Sequence, residues 1–316
     1  MRQYILKRLL IAIPTLVGMS IVIFVLLRLA PGSIVDILFD SAGYVDPEAK
    51  KAIERELGMD RPIPVQYWHW ISGLVRGDLV KSYRFDRPAW DIIKPRIPVS
   101  VQLAGMSIVI AVAIALPLGV ISALKQDTRV DYALRVFSLA GLSMPAFWLG
   151  MLIILVMVWG FDTSPPTLYL SPMEDLRGNL FQFIFPAMAV GYRSSALLMR
   201  ITRSAMLEVL REDYIRTAWA KGLSQTLVVY RHALKNAMLP VVTVIGIEFA
   251  FLIGGLVVTE TVFNLPGMAR YLVDAIRWRD YPIVQNMVMI IASIVILANL
   301  VVDIAYAWLD PRVRYT

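Results

Sequence analysis

Apolar residues in this chain are gathered into six blocks, and that clustering limits the fold more than any other feature. The blocks run over Leu9–Leu29, Val99–Leu124, Ala133–Phe161, Leu180–Met199, Met238–Val258 and Ile283–Leu309. About 20 apolar residues in a helix cover the hydrocarbon core of a bilayer. Backbone inside lipid has no water to bond, so segments like these must be helical. The expected fold class is all-α, a polytopic membrane protein with about six transmembrane helices. Of 316 residues, 58% are hydrophobic, a share that soluble chains rarely reach. The opening stretch has the charged start of a signal peptide. Its apolar core is too long, and no small-residue cleavage site follows, so it reads as an uncleaved first span.

The net charge of +7 has a topological explanation. Arg2, Lys7 and Arg8 flank the first block, and Lys125, Arg129 and Arg135 follow the second. Arg200, Arg203, Arg211, Arg216, Lys221, Arg231 and Lys235 follow the fourth, and Arg312 and Arg314 follow the sixth. With six crossings these positions share one face. The positive-inside rule makes that face cytoplasmic, together with both termini. No nucleic-acid partner is needed to explain the charge. The chain has no Cys, and His69 and His232 are its only histidines. Disulfides and thiolate metal sites are excluded, and no metal is expected. There is no G-x-x-x-x-G-K-[ST] phosphate loop and no convergent set of base, nucleophile and oxyanion donor. No catalytic residue, cofactor or enzymatic activity is expected.

The opposite face receives Pro31–Pro98, Asp162–Asn179 and Thr259–Pro282. The first of these segments reads as an ordered cap, the alternative being a plain solvated insertion. Asp46-Pro47-Glu48 has the chemistry of a helix start, and Gly58 that of a helix stop. Tyr67, Trp68 and Trp70 suit a helix lying against lipid headgroups. Pro14, Pro117, Pro145 and Pro186 lie in or near spans, as tolerated bends or as hinges. The domain division expected is 1–30 for the N-terminal segment and first span, 31–98 for the extracytoplasmic region, 99–309 for the transmembrane core and 310–316 for a cytoplasmic tail.

Between the fourth and fifth blocks lies DYIRTAWAKGLSQTLVVYRHALKNAMLP, Asp213 to Pro240. It is polar and basic, and it reads as two helices broken at Gly222, with Ser224 capping the second. Thr217, Ala218 and Ala220 are small enough to let another surface approach. A membrane protein that holds such a segment out of the bilayer is expected to dock something there.

This segment resembles the EAA coupling loop of ABC-importer permeases, and most closely that of the dipeptide/oligopeptide branch. Ala218, Gly222 and Leu239-Pro240 match the general pattern, whereas Arg216 and Thr217 replace its Glu and first Ala. The resemblance covers nearly the whole chain. It takes in Pro31-Gly32, Leu57-Gly58-Met59-Asp60-Arg61-Pro62 with Gln66-Tyr67, Arg76-Gly77-Asp78-Leu79, Ser82 and Arg96-Ile97-Pro98. It continues through Ser143-Met144-Pro145-Ala146-Phe147-Trp148-Leu149-Gly150, Glu260-Thr261-Val262-Phe263, Pro266-Gly267, Arg279-Asp280-Tyr281-Pro282, Asn299, Asp303 and Asp310-Pro311-Arg312. Val80-Lys81 departs from the branch's usual pattern.

The resemblance implies a type I ABC-importer permease fold and one half of a pore for di- or oligopeptides. The same machine with nickel chelates, glutathione or oligosaccharides as cargo is the alternative. An ion-coupled secondary transporter fits less well, because no inverted repeat or midplane polar cluster is visible. The implied partners are a second homologous permease, two cytoplasmic ABC ATPases, an extracytoplasmic solute-binding protein and membrane lipid. The coupling loop near 203–237 would meet the ATPases through Arg216, Thr217, Ala218, Trp219, Lys221, Gly222, Leu223 and Arg231. Arg193 and Glu248, charged inside apolar blocks, are candidates for the translocation path. Arg193 alternatively snorkels toward headgroups, and Glu248 alternatively sits in a packed pair or is protonated at a helix interface. Phe263, Pro266, Gly267 and Tyr281 are candidate contacts for the binding protein, the alternative being packing on the pore rim.

Overall fold

The computed structural model describes residues 2–29, 35, 47–166 and 168–309. Asp46, Pro31-Gly32 and the tail from Asp310 onward fall outside them. The described chain is helical, with no strand beyond an isolated bridge between Lys81 and Pro88. By contact it separates into two compact units, Met1–Ser100 with Pro266–Ile296, and Val101–Leu265 with Leu297–Thr316.

In the first unit, α1 (Arg2–Leu29) is followed by α2 (Pro47–Glu56), α3 (Ile63–Arg76), α4 (Ala89–Ile93) and a 3-10 turn over Lys94–Arg96. Gly58 has φ +67°, and the Met59 N–H returns to the Glu54 carbonyl, which is the left-handed helix stop expected there. The aromatic residues of α3 depart from expectation. Tyr67 and Trp70 do not face outward. The Tyr67 hydroxyl lies 2.8 Å from Ser20 Oγ, and both rings pack on Phe24 of α1. Trp70 is buried, and its indole N–H donates to Asn286 Oδ1 at 3.1 Å. Only Trp68, 71% exposed, takes the outward position. An amphipathic helix with aromatics on both sides offers a choice of burial face, and the apolar surface of α1 takes two of the three.

In the second unit, α5 (Ile97–Leu124) continues from the first. It leads to α6 (Arg129–Ser143), α7 (Ala146–Phe161) and α8 (Leu176–Val209). After α9 (Asp213–Ala220) come α10 (Gln225–Leu227), a π-helical segment over Val228–Ala233, and α11 (Leu234–Gly255), which runs through Pro240. The shorter α12 (Val257–Val262) follows; α13 (Met268–Arg277) belongs to the first unit, and α14 (Tyr281–Leu309) begins in the first and ends in the second.

Four described helices are long and apolar enough to cross a membrane: Ile5–Leu29, Ala89–Leu124, Gln225–Gly255 and Tyr281–Ala305. The third block of the sequence is not one straight helix. Its two halves, α6 and α7, meet at 101°. Pro145 lacks an N–H and disfavours helical backbone at the residue before it, and Met144 is accordingly extended (φ −90°, ψ 125°).

The fourth block lies within α8, which reaches beyond it at both ends. This 34-residue helix packs against α6, α7 and α11. Protein rather than lipid covers most of it, so it tolerates Asn179, Gln182, Ser194 and Ser195, all buried. Gly191 of α8 shows how close the packing is. A Cβ there would stand 2.8 Å from the Ser107 carbonyl oxygen and 2.9 Å from Ile110 Cγ2 of α5.

Gly191→Ala should therefore destabilise the protein by about 1–3 kcal/mol through overpacking. Gly105→Ala, where a Cβ meets nothing within 4 Å, should be neutral or mildly stabilising. Thermal unfolding of the detergent-solubilised chain distinguishes the two.

Candidate functional site

The segment from Asp213 to Leu234 folds as an elbow. The helix α9 begins after Glu212 and ends at Lys221, and Gly222 then turns the chain with φ +74°. A Cβ at Gly222 would touch nothing, so backbone conformation and not space calls for glycine here. Ser224 occupies the N-cap position of α10, but its side chain makes no capping bond. The chain beyond is first α-helical and then π-helical, with the Leu234 N–H bonded to the Val229 carbonyl. Single π turns inside helices are found frequently at functional sites.

One face of the elbow is fixed to its own chain. Ile215 and Ala218, three residues apart, are buried with Val120 and Ala123 from α5, Ala205 and Met206 from α8, and Val228, Val229, Ala233 and Ala237 beyond the turn. Leu223 packs against the same cluster. Ala218 and Leu223, expected on the docking surface, thus point inward. The small size of Ala218 lets α9 sit close to α5 and α8. Arg216, Thr217, Trp219, Lys221, Gly222 and Arg231 are exposed, with Trp219 at 42%. A further tie is the Asn236 amide, which donates to the Tyr214 hydroxyl at 2.7 Å. The outward face is cationic and carries one large aromatic ring, while the inward face is apolar.

An ion pair stands in the same part of the unit. Arg203 of α8 donates to both oxygens of Asp131, from Nε at 2.8 Å and from a terminal nitrogen at 2.7 Å. Asp131 is fully buried and also accepts from the Ser122 hydroxyl of α5 and from the Asp127 N–H at 3.1 Å. This carboxylate joins α5, α6 and α8 close to where the elbow is seated. In the sequence, Arg203 counts only as one topology-setting charge. The pairing spans 72 positions, and no local spacing announces it.

The charged residues inside the apolar blocks separate. Glu248 of α11 is half-buried and accepts from Ser194 Oγ of α8 at 2.8 Å. Arg193, one residue earlier on α8, is exposed and has no ion pair among the described residues.

The proposed outer contacts are mostly internal. Phe263 is buried with its ring against Gly150. Gly267 and Tyr281 are buried too, and only Pro266 is exposed. In the first unit, Ser82 donates to Asp280, and the Tyr83 N–H does so at 3.2 Å. Burial pushes the Asp280 carboxyl above its ordinary value, opposed by the bonds from Ser82 and from the backbone of Tyr83, Arg84 and Ile283. Among the described residues, no group of three or more His, Asp or Glu gathers to hold a metal.

Comparison with known proteins gives these features a setting. The model of the binding-protein-dependent transport system inner membrane component matches residues 115–315, and the N-terminal model of the same systems matches residues 1–104. The chain belongs to this family. As an integral membrane permease of ABC importers it has full-length relatives. The dipeptide transport system permease protein DppB of Escherichia coli is 38% identical over all of this chain and 99% of its own length. The di/tripeptide transport system permease protein DppB of Pseudomonas aeruginosa is 38% identical over the same shares. The inward-facing MetNI methionine ABC transporter has the same fold, with a TM-score of 0.57 over 69% of this permease and 96% of that chain, at 15% identity.

Breaking the Asp131–Arg203 pair of the permease strands a buried charge, at a cost of about 3–5 kcal/mol. Asp131→Ala and Arg203→Ala should each lower the unfolding temperature sharply, and the double variant should cost less than their sum. Disrupting the exposed Arg216–Asp213 pair should leave stability essentially unchanged.

Proposed function

We propose that this permease forms half of the pore of a peptide importer and receives the stroke of an ATPase through its elbow. The observation that carries the reading is the two-sided α9 helix. Its inner face is keyed to α5 and α8 by Ile215 and Ala218, and its outer face presents Arg216, Thr217, Trp219 and Lys221. A short helix held this way has no freedom to absorb a push. Force applied to the outer face passes to the helix ends on which the inner face rests. An exposed Trp flanked by cations is the composition of a binding hot spot, and Arg216, Lys221 and Arg231 suit acidic groups on a partner.

In this reading the elbow and both termini are cytoplasmic, in agreement with the distribution of Lys and Arg. Two ABC ATPases dock at the elbows of this chain and a homologous sister permease. A solute-binding protein delivers cargo on the other side, where the exposed Pro266 and Asn264 are available for contact. The full-length resemblance to dipeptide and di/tripeptide permeases supports short peptides as the cargo. Arg193 and Glu248 belong to the translocation path, where Ser194 holds the Glu248 carboxyl against α8.

Trp219→Ala combined with Lys221→Glu should weaken ATPase binding by about 30-fold or more, as loss of a hot-spot residue does. The unfolding temperature should stay unchanged. Cells carrying the whole transporter should then lose uptake of labelled dialanine. Unimpaired ATPase binding by this variant would remove the elbow from the coupling path. Absence of dialanine uptake by the wild-type transporter would remove peptides as cargo.

A further inference from the structure

Within the first unit lies a cavity of about 600 Å³, inside the ~300–1,000 Å³ range of small-molecule sites. The chemistry of its lining is unbalanced. Arg28, at the end of α1, is half-buried, and its guanidinium meets only neutral acceptors. It donates twice to Gln66 Oε1, at 3.1 and 3.0 Å, and once to the Phe24 carbonyl at 3.4 Å. The Phe24 and Tyr281 rings face it at 3.5 and 5.6 Å. No carboxylate among the described residues pairs with it. A partly buried cation without an anion is costly.

Gln285 borders the same cavity, with its amide nitrogen turned away from it into the protein. Gln285 is 3% exposed, and its Nε2 has no hydrogen-bond partner among the described residues. A buried amide donor left unpaired costs about 1–3 kcal/mol. Glu56 also lines the cavity, exposed and without an ion pair among the described residues. Lys81 and Asp86, also in the lining, neutralise each other at 3.3 Å, which leaves Arg28, Arg61 and Glu56 as the uncommitted charges. The Gln66 amide ties Arg28 to the turn carrying Arg61 through bonds to the Met59 and Arg61 carbonyls at 3.1 and 2.7 Å. The cation is thus held in place.

We propose that this cavity is a binding subsite for a short peptide in its zwitterionic form. The carboxylate is taken by Arg28, with Arg61 at the edge, and the ammonium by Glu56. Ile53 and Leu57, also in the lining and partly exposed, offer apolar surface to a side chain. Its lining includes neither Arg193 nor Glu248 nor any residue of the elbow. The identity of the ligand rests on the peptide-cargo reading above.

The test is calorimetric titration of the full-length permease in nanodiscs with dialanine, dialanine amide, N-acetyl-dialanine and acetate, beside dialanine uptake by the complete transporter. Dialanine should bind saturably. Its amide, lacking the carboxylate, should bind about tenfold or more weakly, as loss of a charge-assisted contact implies. Arg28→Gln should weaken dialanine to a similar degree. Glu56→Gln lies at an exposed position and should not disturb folding. It should weaken dialanine several-fold and leave N-acetyl-dialanine unchanged, a pattern that a purely structural role would not produce. Equal affinity for dialanine and its amide, or acetate binding as tightly as dialanine, overturns the proposal. Dialanine uptake without saturable binding to the permease overturns the subsite and leaves the cargo reading standing. Absence of both uptake and binding overturns both.

Discussion

The contact on which the rest depends is the seat of Ile215 and Ala218 against the ends of α5 and α8. An eight-residue helix has little stability of its own in water. Packing of its apolar face must hold it, and that same packing would let it act as the lever proposed above. If Ala218 were larger, α9 would stand off from α5. If Gly222 were any other residue, the left-handed turn that sends the chain back toward α11 would be strained. Close seating on one side and open, cationic surface on the other are therefore two results of one short amphipathic pattern.

Around this seat, polar groups fix the helix ends where hydrophobic packing alone would let them slide. Fork-shaped pairing of Arg203 to Asp131 binds α8 to α6, and the Ser122 hydroxyl adds α5. Buried pairs of this kind contribute little net stability compared with an apolar substitute, but their directional bonds define one register. In the first unit the Asp280 carboxylate plays a comparable part, gathering the Ser82 hydroxyl and neighbouring backbone N–H groups. Both acids join segments far apart in the chain, and both accept several hydrogen bonds from the protein itself.

What the sequence made legible was local. Gly58 and Gly222 end helices because only their backbone conformation is at issue. The apolar blocks announce helices because lipid leaves the backbone no alternative. Pro145 was visible as an interruption, but the angle it permits depends on what α6 and α7 pack against. The inward turn of Tyr67 and Trp70 was not legible, because an amphipathic helix does not reveal whether lipid headgroups or another helix will cover it. Ala218 was correctly singled out as small, yet spacing alone did not say which surface its smallness serves. Asp131 with Arg203, Glu248 with Ser194, and the cavity beside Arg28 arise from tertiary neighbours, and a single sequence holds no trace of such pairings.

The central claim is that the elbow moves as one body with the helix ends beneath it. Spin labels at the exposed positions Thr217 and Arg200 measure this directly by pulsed electron resonance, in the complete transporter with and without ATP. The account predicts one narrow distance distribution that stays the same across the nucleotide cycle, while distances from either label to the sister permease change. A Thr217–Arg200 distance that shifts or broadens when nucleotide binds would mean that α9 swings on its own, and would contradict the account.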